Sequence, residues 1–228
     1  REQRMSFEQD YATARQWIED REFSEDQLTK AEDLLLRIVE TDKSQAKAWG
    51  MLCEVLYWKG EVATEKKLEI YQKGVDYGEK GTLADPQNIE ATFWLSVCYG
   101  LYGQERGIMT SLFLISPIEK LMKKSLEIDE GFFFGGPHRA MGRFYHQVPP
   151  WPIASGDNRK ALAHLQKSLE FGPEFYLNHI YIAEIYLSLG DKKKAREHID
   201  WILNAPLTPK HEKEDGRYKE AAKLLLPR

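Results

Sequence analysis

Ala161, Leu165, Ser168 and Pro173 recur as Ala195, Ile199, Ile202 and Leu207, each 34 residues later. A fixed period of this length constrains the chain more than any composition figure. One such unit cannot bury its own apolar face and has to stack on its neighbours. Between the two copies Ile182, Ala183 and Tyr186 form a large, small, aromatic series, and Gly190 turns the chain into the next helix. Met141, Gly142 and Tyr145 repeat the series upstream, with His138 ahead of them as His179 stands ahead of Ile182. Earlier still, Trp49, Leu52 and Cys53 recur as Trp94, Val97 and Cys98. The small position is thus Cys53, Cys98, Gly142 and Ala183 in turn, as close packing of paired helices demands. Both cysteines read as small buried hydrophobes, since neither stands in a CxxC or zinc spacing.

This is the tetratricopeptide pattern, W-x2-L-G-x2-Y followed by A-x3-F and P. It predicts an all-α, right-handed α-solenoid of about five helical hairpins plus a C-terminal capping helix. The chain is read as a single helical-repeat domain over residues 1–228, with repeats at about 5–43, 44–85, 86–131, 132–172 and 173–207 and the cap at 208–226. Ser24 followed by Gln27 reads as a capping box opening the second helix, and Thr208-Pro209 as the N-cap and first residue of the last. The small positions are spaced by more than the standard period, so three repeats carry insertions. These fall near Tyr77 to Asp85, between the helices from Gly103 to Pro117, and at Val148 to Gly156. The middle one is apolar, with Ile108, Met109, Leu112, Phe113, Leu114 and Ile115.

The formal charge of -4 comes from 36 acidic and 32 basic residues scattered along the chain. No basic stripe exists to neutralise a row of phosphates, so nucleic acid is not an expected partner. No apolar run approaches the length of about 18 residues that a membrane span needs. The chain opens on Arg1 with no charged and apolar leader, which leaves open a leader or lipid anchor removed from it. No nucleophile elbow, Walker loop, dinucleotide fingerprint or H-E-x-x-H is present, so neither an enzyme nor a cofactor is expected. The six histidines show no ligand spacing, and His138 and His179 read as packed, hydrogen-bonded residues rather than metal ligands.

Binding is the use the pattern supports. Counted from Trp49, Trp94 and His138, the positions expected to line a concave groove are Glu54, Tyr57 and Trp58, then Leu95, Tyr99 and Tyr102, then Arg139, Arg143, His146 and Gln147. Arg139 and Arg143 share one helical face, and their guanidiniums either grip a carboxylate or pair with acidic residues of neighbouring helices. Phe132, Phe133 and Phe134 cannot all face one core, since successive side chains on a helix point about 100° apart. They and Trp151 either meet a pocket or partner, or pack beneath the long loop.

The run Gly135, Gly136, Pro137, Arg139, Gly142 and Tyr145, with Pro149, Gly156 and Asp157 behind it, resembles the T-component family of TRAP transporters. The resemblance covers about Pro86 to Leu226. It implies a periplasmic, lipid-anchored helical-repeat protein that binds a solute-binding component, with a small carboxylate or apolar ligand and a trimeric state as further expectations. The C-terminal half also looks like the regulator of microtubule dynamics family, through Gly142-Arg143 and Leu189-Gly190. The reading favoured here is a non-catalytic TRAP-associated binding protein of the periplasm. The alternatives are a general tetratricopeptide scaffold that takes a peptide in its concave groove, and a cytoplasmic location.

Overall fold

The computed structural model describes residues 2–226, apart from the side chains at 2–6 and 108–111. Ile108 and Met109 of the expected apolar insertion therefore lie outside the described side chains. Among the described residues there are eleven helices and no strand: α1 (Glu2–Glu19), α2 (Gln27–Thr41), α3 (Ala46–Val62), α4 (Lys67–Ala84), α5 (Ile89–Arg106), α6 (Ile108–Asp129), α7 (Phe132–Gln147), α8 (Asn158–Phe171), α9 (Tyr176–Ser188), α10 (Lys192–Asn204) and α11 (Glu212–Leu224). They fall into two compact units, Arg1–Ile128 and Asp129–Arg228.

In the first unit, α4 carries Gly74, Gly78 and Gly81 at helical spacing on the side that faces α5. A Cβ at Gly78 would lie 2.8 Å from Leu95 Cβ, and one at Gly81 would lie 2.7 Å from Ala91 Cβ. The missing side chains let α5 pack directly on the α4 backbone. Cys53 and Cys98 are buried in this packing, with Cys98 Sγ 3.7 Å from the Cys53 carbonyl, as their small-residue position predicts. Glu32 is buried but not stranded. It accepts from Lys59, from Lys73 at 2.5 Å and from the Tyr77 hydroxyl at 3.1 Å. Burial alone would raise its carboxyl, and the two lysines outweigh that and hold it below the usual range.

Two expected insertions are helix instead. α4 continues through Tyr77 to Ala84, so the second repeat is lengthened by extra turns rather than by a loop. The stretch from Gly103 to Pro117 ends α5 at Arg106, turns at Gly107 with φ +93°, and then opens α6. Phe113 on α6 faces solvent while Ile118 is buried. The capping box also fails to form. The Ser24 hydroxyl donates to the Asp26 carboxylate, and Asp26 occupies the N-cap of α2.

In the second unit, α7 packs on α8 through Gly142, where a Cβ would come within 2.6 Å of Leu165 Cγ and 3.0 Å of the Ala161 carbonyl. α7 and α9 run in the same direction. Arg139 meets Asn178 near their starts, and Arg143 meets Glu184 near their ends. A core of Tyr176, Ile180, Ala183, Ile199, Ile202 and Ala222 joins α9, α10 and α11, with Tyr218, Ala221 and Leu225 packed against it. The start of that helix differs from expectation. The Thr208 backbone N–H is tied to the Asp215 carboxylate at 2.6 Å, Lys210 turns the chain at φ +71°, and α11 begins at Glu212.

Candidate functional site

The expected groove aromatics of the first unit are largely packed. Tyr57 and Trp58 are buried, edge to face at 4.7 Å, with Trp94 5.1 Å from Tyr57. Trp58 donates from Nε1 to Glu54 at 3.2 Å and carries the Arg21 guanidinium 3.6 Å above its ring. Glu54 in turn takes Arg15 in a two-oxygen pair at 2.9 and 2.8 Å. These residues tie α1 to α3 and do not line an open surface. Tyr99 and Tyr102 are half-buried on α5. The Tyr99 hydroxyl is bonded to Glu79, and that of Tyr102 accepts from Arg106 at 2.7 Å.

The stretch opening α7 is the least ordinary in the second unit. Phe133, Phe134 and Gly135 all have left-handed backbones, with φ of 48°, 58° and 73°. Glycine adopts this freely, and at Gly135 a Cβ would also strike the Ser168 carbonyl at 2.8 Å. For each Phe the conformation costs about 1–2 kcal/mol. What holds it is Arg139, 5% exposed, which donates to the Phe133 and Phe134 carbonyls and to Asn178 Oδ1, each at 3.2 Å. Asn178 completes the clamp by donating to the Phe134 carbonyl at 3.2 Å and to the Gly172 carbonyl at 3.0 Å. The turn throws the rings outward. Phe134 is 51% exposed and stacks on Phe175 at 4.9 Å, Phe133 meets both edge-on, and the Arg139 guanidinium lies 4.6 Å from the Phe175 ring. Phe132 is half-buried beside them.

Arg139 and Arg143 therefore do not act as a pair. Arg139 is turned to backbone carbonyls, while Arg143 ion-pairs with Glu184 and lies 4.4 Å over the Tyr181 ring. Arg143 thus takes the second of the two uses the sequence left open, whereas Arg139 is held by backbone carbonyls and Asn178 and meets neither expectation. His146 is half-buried and meets Asn158 Oδ1 through Nδ1 at 2.8 Å.

Four of the histidines are paired, which their spacing had not suggested. His138 and His164 meet Nδ1 to Nδ1 at 3.0 Å, and His179 and His198 do the same at 3.0 Å. His179 Nε2 donates to the Pro173 carbonyl at 2.7 Å, which leaves its Nδ1 to accept from His198. His138 Nε2 is 2.9 Å from the Glu130 carboxylate, the same wiring one repeat earlier. Burial and the neighbouring His179 push His198 down to about 4, and burial also lowers His179 and His164. The signal was available: His164 and His198 lie one period of 34 residues apart.

The Val148 to Gly156 loop is present as expected, and it is braced rather than slack. Gly156 N–H donates to the Pro149 carbonyl at 2.9 Å, Asp157 N–H to the Tyr145 carbonyl at 2.9 Å, and Ile153 and Ala154 N–H to the Pro150 carbonyl at 3.2 and 3.3 Å. Asp157 then caps α8 by accepting from Arg159 and Lys160 backbone N–H at 2.8 and 3.1 Å. At the tip, Trp151 is 85% exposed and Ile153 68%.

No curated protein matches the sequence. Among solved structures the chain is similar to a thermophilic TPR protein of Thermus thermophilus, at TM-score 0.67 and 17% identity over 93% of this chain and 98% of that one. It is similar to PilF of Pseudomonas aeruginosa at TM-score 0.59 and 14% identity, covering 96% and 90% of the two chains. YrrB, a TPR protein with an unusual peptide-binding site, matches at TM-score 0.50 and 17% identity over 87% and 84%. These likenesses give the fold, an all-α stack of tetratricopeptide type. The resemblance to the transporter T-component gains no support from them. The model of the family described as regulator of microtubule dynamics protein 1-3 matches residues 10–228. The family likeness carried by Gly142-Arg143 and Leu189-Gly190 thus extends over nearly the whole sequence, and the chain belongs to the regulator of microtubule dynamics protein 1-3 family.

Proposed function

We propose that the chain is a non-catalytic docking scaffold that holds a peptide segment of a protein partner against the aromatic platform of Phe133, Phe134 and Phe175. The left-handed Phe-Phe turn carries this reading. Two left-handed Phe residues cost about 2–4 kcal/mol together, and the half-exposed Phe134 ring returns little of that through burial. Strain kept in place by a buried arginine and asparagine marks a surface whose shape is put to use. The platform suits an apolar or aromatic partner side chain stacked on Phe134, flanked by the ring edges of Phe133. The likeness to YrrB supports the reading only through the shared fold.

Selection of a random peptide phage library on the full chain tests it. Enriched peptides should carry an apolar anchor and lose about tenfold in affinity on Phe134→Ala, which removes roughly 1–2 kcal/mol of aromatic contact. Peptides that bind Phe134→Ala and the original chain equally would refute the platform. A selection that enriches nothing would refute the scaffold itself.

A further inference from the structure

Because α7 and α9 run in the same direction, the loop after α7 and the turn after α9 leave the second unit at one end. That end carries the exposed Trp151 and Ile153 on the braced loop, with Pro150 and Pro152 beside them and the partly exposed Leu189 on the neighbouring turn. Around them stand five exposed cations, Arg159 and Lys160 at the start of α8 and Lys192, Lys193 and Lys194 at the start of α10. Adjacent packed helices lie about 8–10 Å apart, so the two groups share one surface. The carboxylates at the same end are mostly engaged. Asp157 and Asp191 cap α8 and α10, with Asp191 also 3.8 Å from Lys194, and Glu184 is paired with Arg143.

We infer that this end of the second unit is a peripheral docking surface for an anionic phospholipid bilayer. The apolar groups stand exposed at the tip of the braced loop, Trp151 at 85% and Ile153 at 68%, with cations rather than further apolar surface around them. A bilayer interface accepts such a tip: tryptophan settles at headgroup depth, and lysines and arginines beside it pair with anionic headgroups. The contact inferred is one of surface attachment through this tip, and no helix of the described residues is long and apolar enough to cross a membrane. The surface lies at the opposite end of α7 from the Phe134 platform, and the two are separately testable.

The test is co-sedimentation of the full chain with phosphatidylcholine vesicles, with and without a minority of phosphatidylglycerol. The chain should pellet with the anionic vesicles at low salt, stay in the supernatant with the neutral ones, and be released by added salt. Lys192→Glu with Lys193→Glu should lower vesicle partitioning at least about thirtyfold, given roughly 1 kcal/mol for each cation near the surface, and Trp151→Ser should separately lower it about tenfold. Lys167→Glu, away from this end on α8, should leave it unchanged. Failure of the original chain to pellet with anionic vesicles, equal binding to neutral ones, or full binding by the Trp151 variant would overturn the inference. So would binding of soluble polyglutamate through the same lysines without vesicle binding, which would assign the surface to an acidic protein.

Discussion

Arg139→Ala is the substitution whose effect the structure predicts most sharply. The buried guanidinium donates to two backbone carbonyls and one amide oxygen, and hydrogen bonds from a charged donor are each worth about 1.5–3 kcal/mol. The three share one group, and Phe134 O keeps its bond from Asn178, so the sum is not additive. A loss of about 4 kcal/mol follows, including part of the left-handed strain that nothing else would then oppose. Arg143→Ala breaks the ion pair with Glu184 and the contact over the Tyr181 ring, both partly in water, and should cost about 1 kcal/mol. Arg139→Lys keeps the charge but not the planar fork, and should lose about half as much as alanine. Urea unfolding of the full chain reads the difference. Arg139→Ala should lower the midpoint of the second unit's transition by roughly 2 M, and Arg143→Ala by well under 1 M. Hydrogen exchange localises it, since the Gly135 and Asn178 amides, bonded to Gly131 and Phe175 carbonyls, should lose protection first. If both substitutions cost the same, or Gly135 stays protected in Arg139→Ala, the account of Arg139 as the clamp of the turn is wrong.

Other expectations are more local. His164, His179 and His198 are held neutral in the folded chain, so between their folded values and the ordinary 6.5 the unfolded chain binds more protons. Stability of the second unit should be intact above about pH 6.5 and fall as pH drops toward about 4, and His198→Gln should flatten that slope in melts across the range. Gly78→Ala would set a Cβ 2.8 Å from Leu95 Cβ and should destabilise the first unit by about 1–3 kcal/mol despite the better helix propensity of alanine, as thermal melts would show. Both cysteines are buried, and burial pushes the Cys53 thiol up, so a thiol reagent should label neither until the chain is unfolded. Asp157→Ala removes two cap hydrogen bonds from α8 and should cost about 1 kcal/mol.

The stack itself was legible because its cause is local and repeated. The small position recurs in four of the five hairpins, as Cys53, Cys98, Gly142 and Ala183, and Gly142 and the two cysteines occupy it for the steric reason the pattern implies. Helix starts were less legible, since Asp26 and Ser24 compete for one cap, and a carboxylate seven residues on claims the Thr208 N–H. Least legible were features decided by residues far apart in the chain. Trp58 has a groove position in the pattern, yet Arg21 and Glu54 close over it. The Phe133–Gly135 turn violates local preference and exists only because Arg139 and Asn178 reach back to it.

The same geometry explains why the sequence pointed to two families at once. Every residue in the run from Gly135 to Asp157 that suggested a transporter component, and for which the structure gives a contact, has a building task. Gly135 turns left-handed against Ser168, Arg139 clamps the turn, Gly142 admits Leu165, Gly156 lies against the Val148 and Pro149 carbonyls, and Asp157 caps α8. Such residues specify a hairpin with a bent entrance and a braced exit loop, whatever the hairpin binds. They mark the construction of a surface and not its ligand. What can differ between proteins sharing this hairpin is what projects from it, here Phe134 at one end and Trp151 with the α8 and α10 cations at the other. Exchanging those side chains, with Gly135, Arg139 and Gly156 untouched, should change binding while leaving the melting temperature within a few degrees. The reverse exchange should unfold the hairpin before it alters specificity.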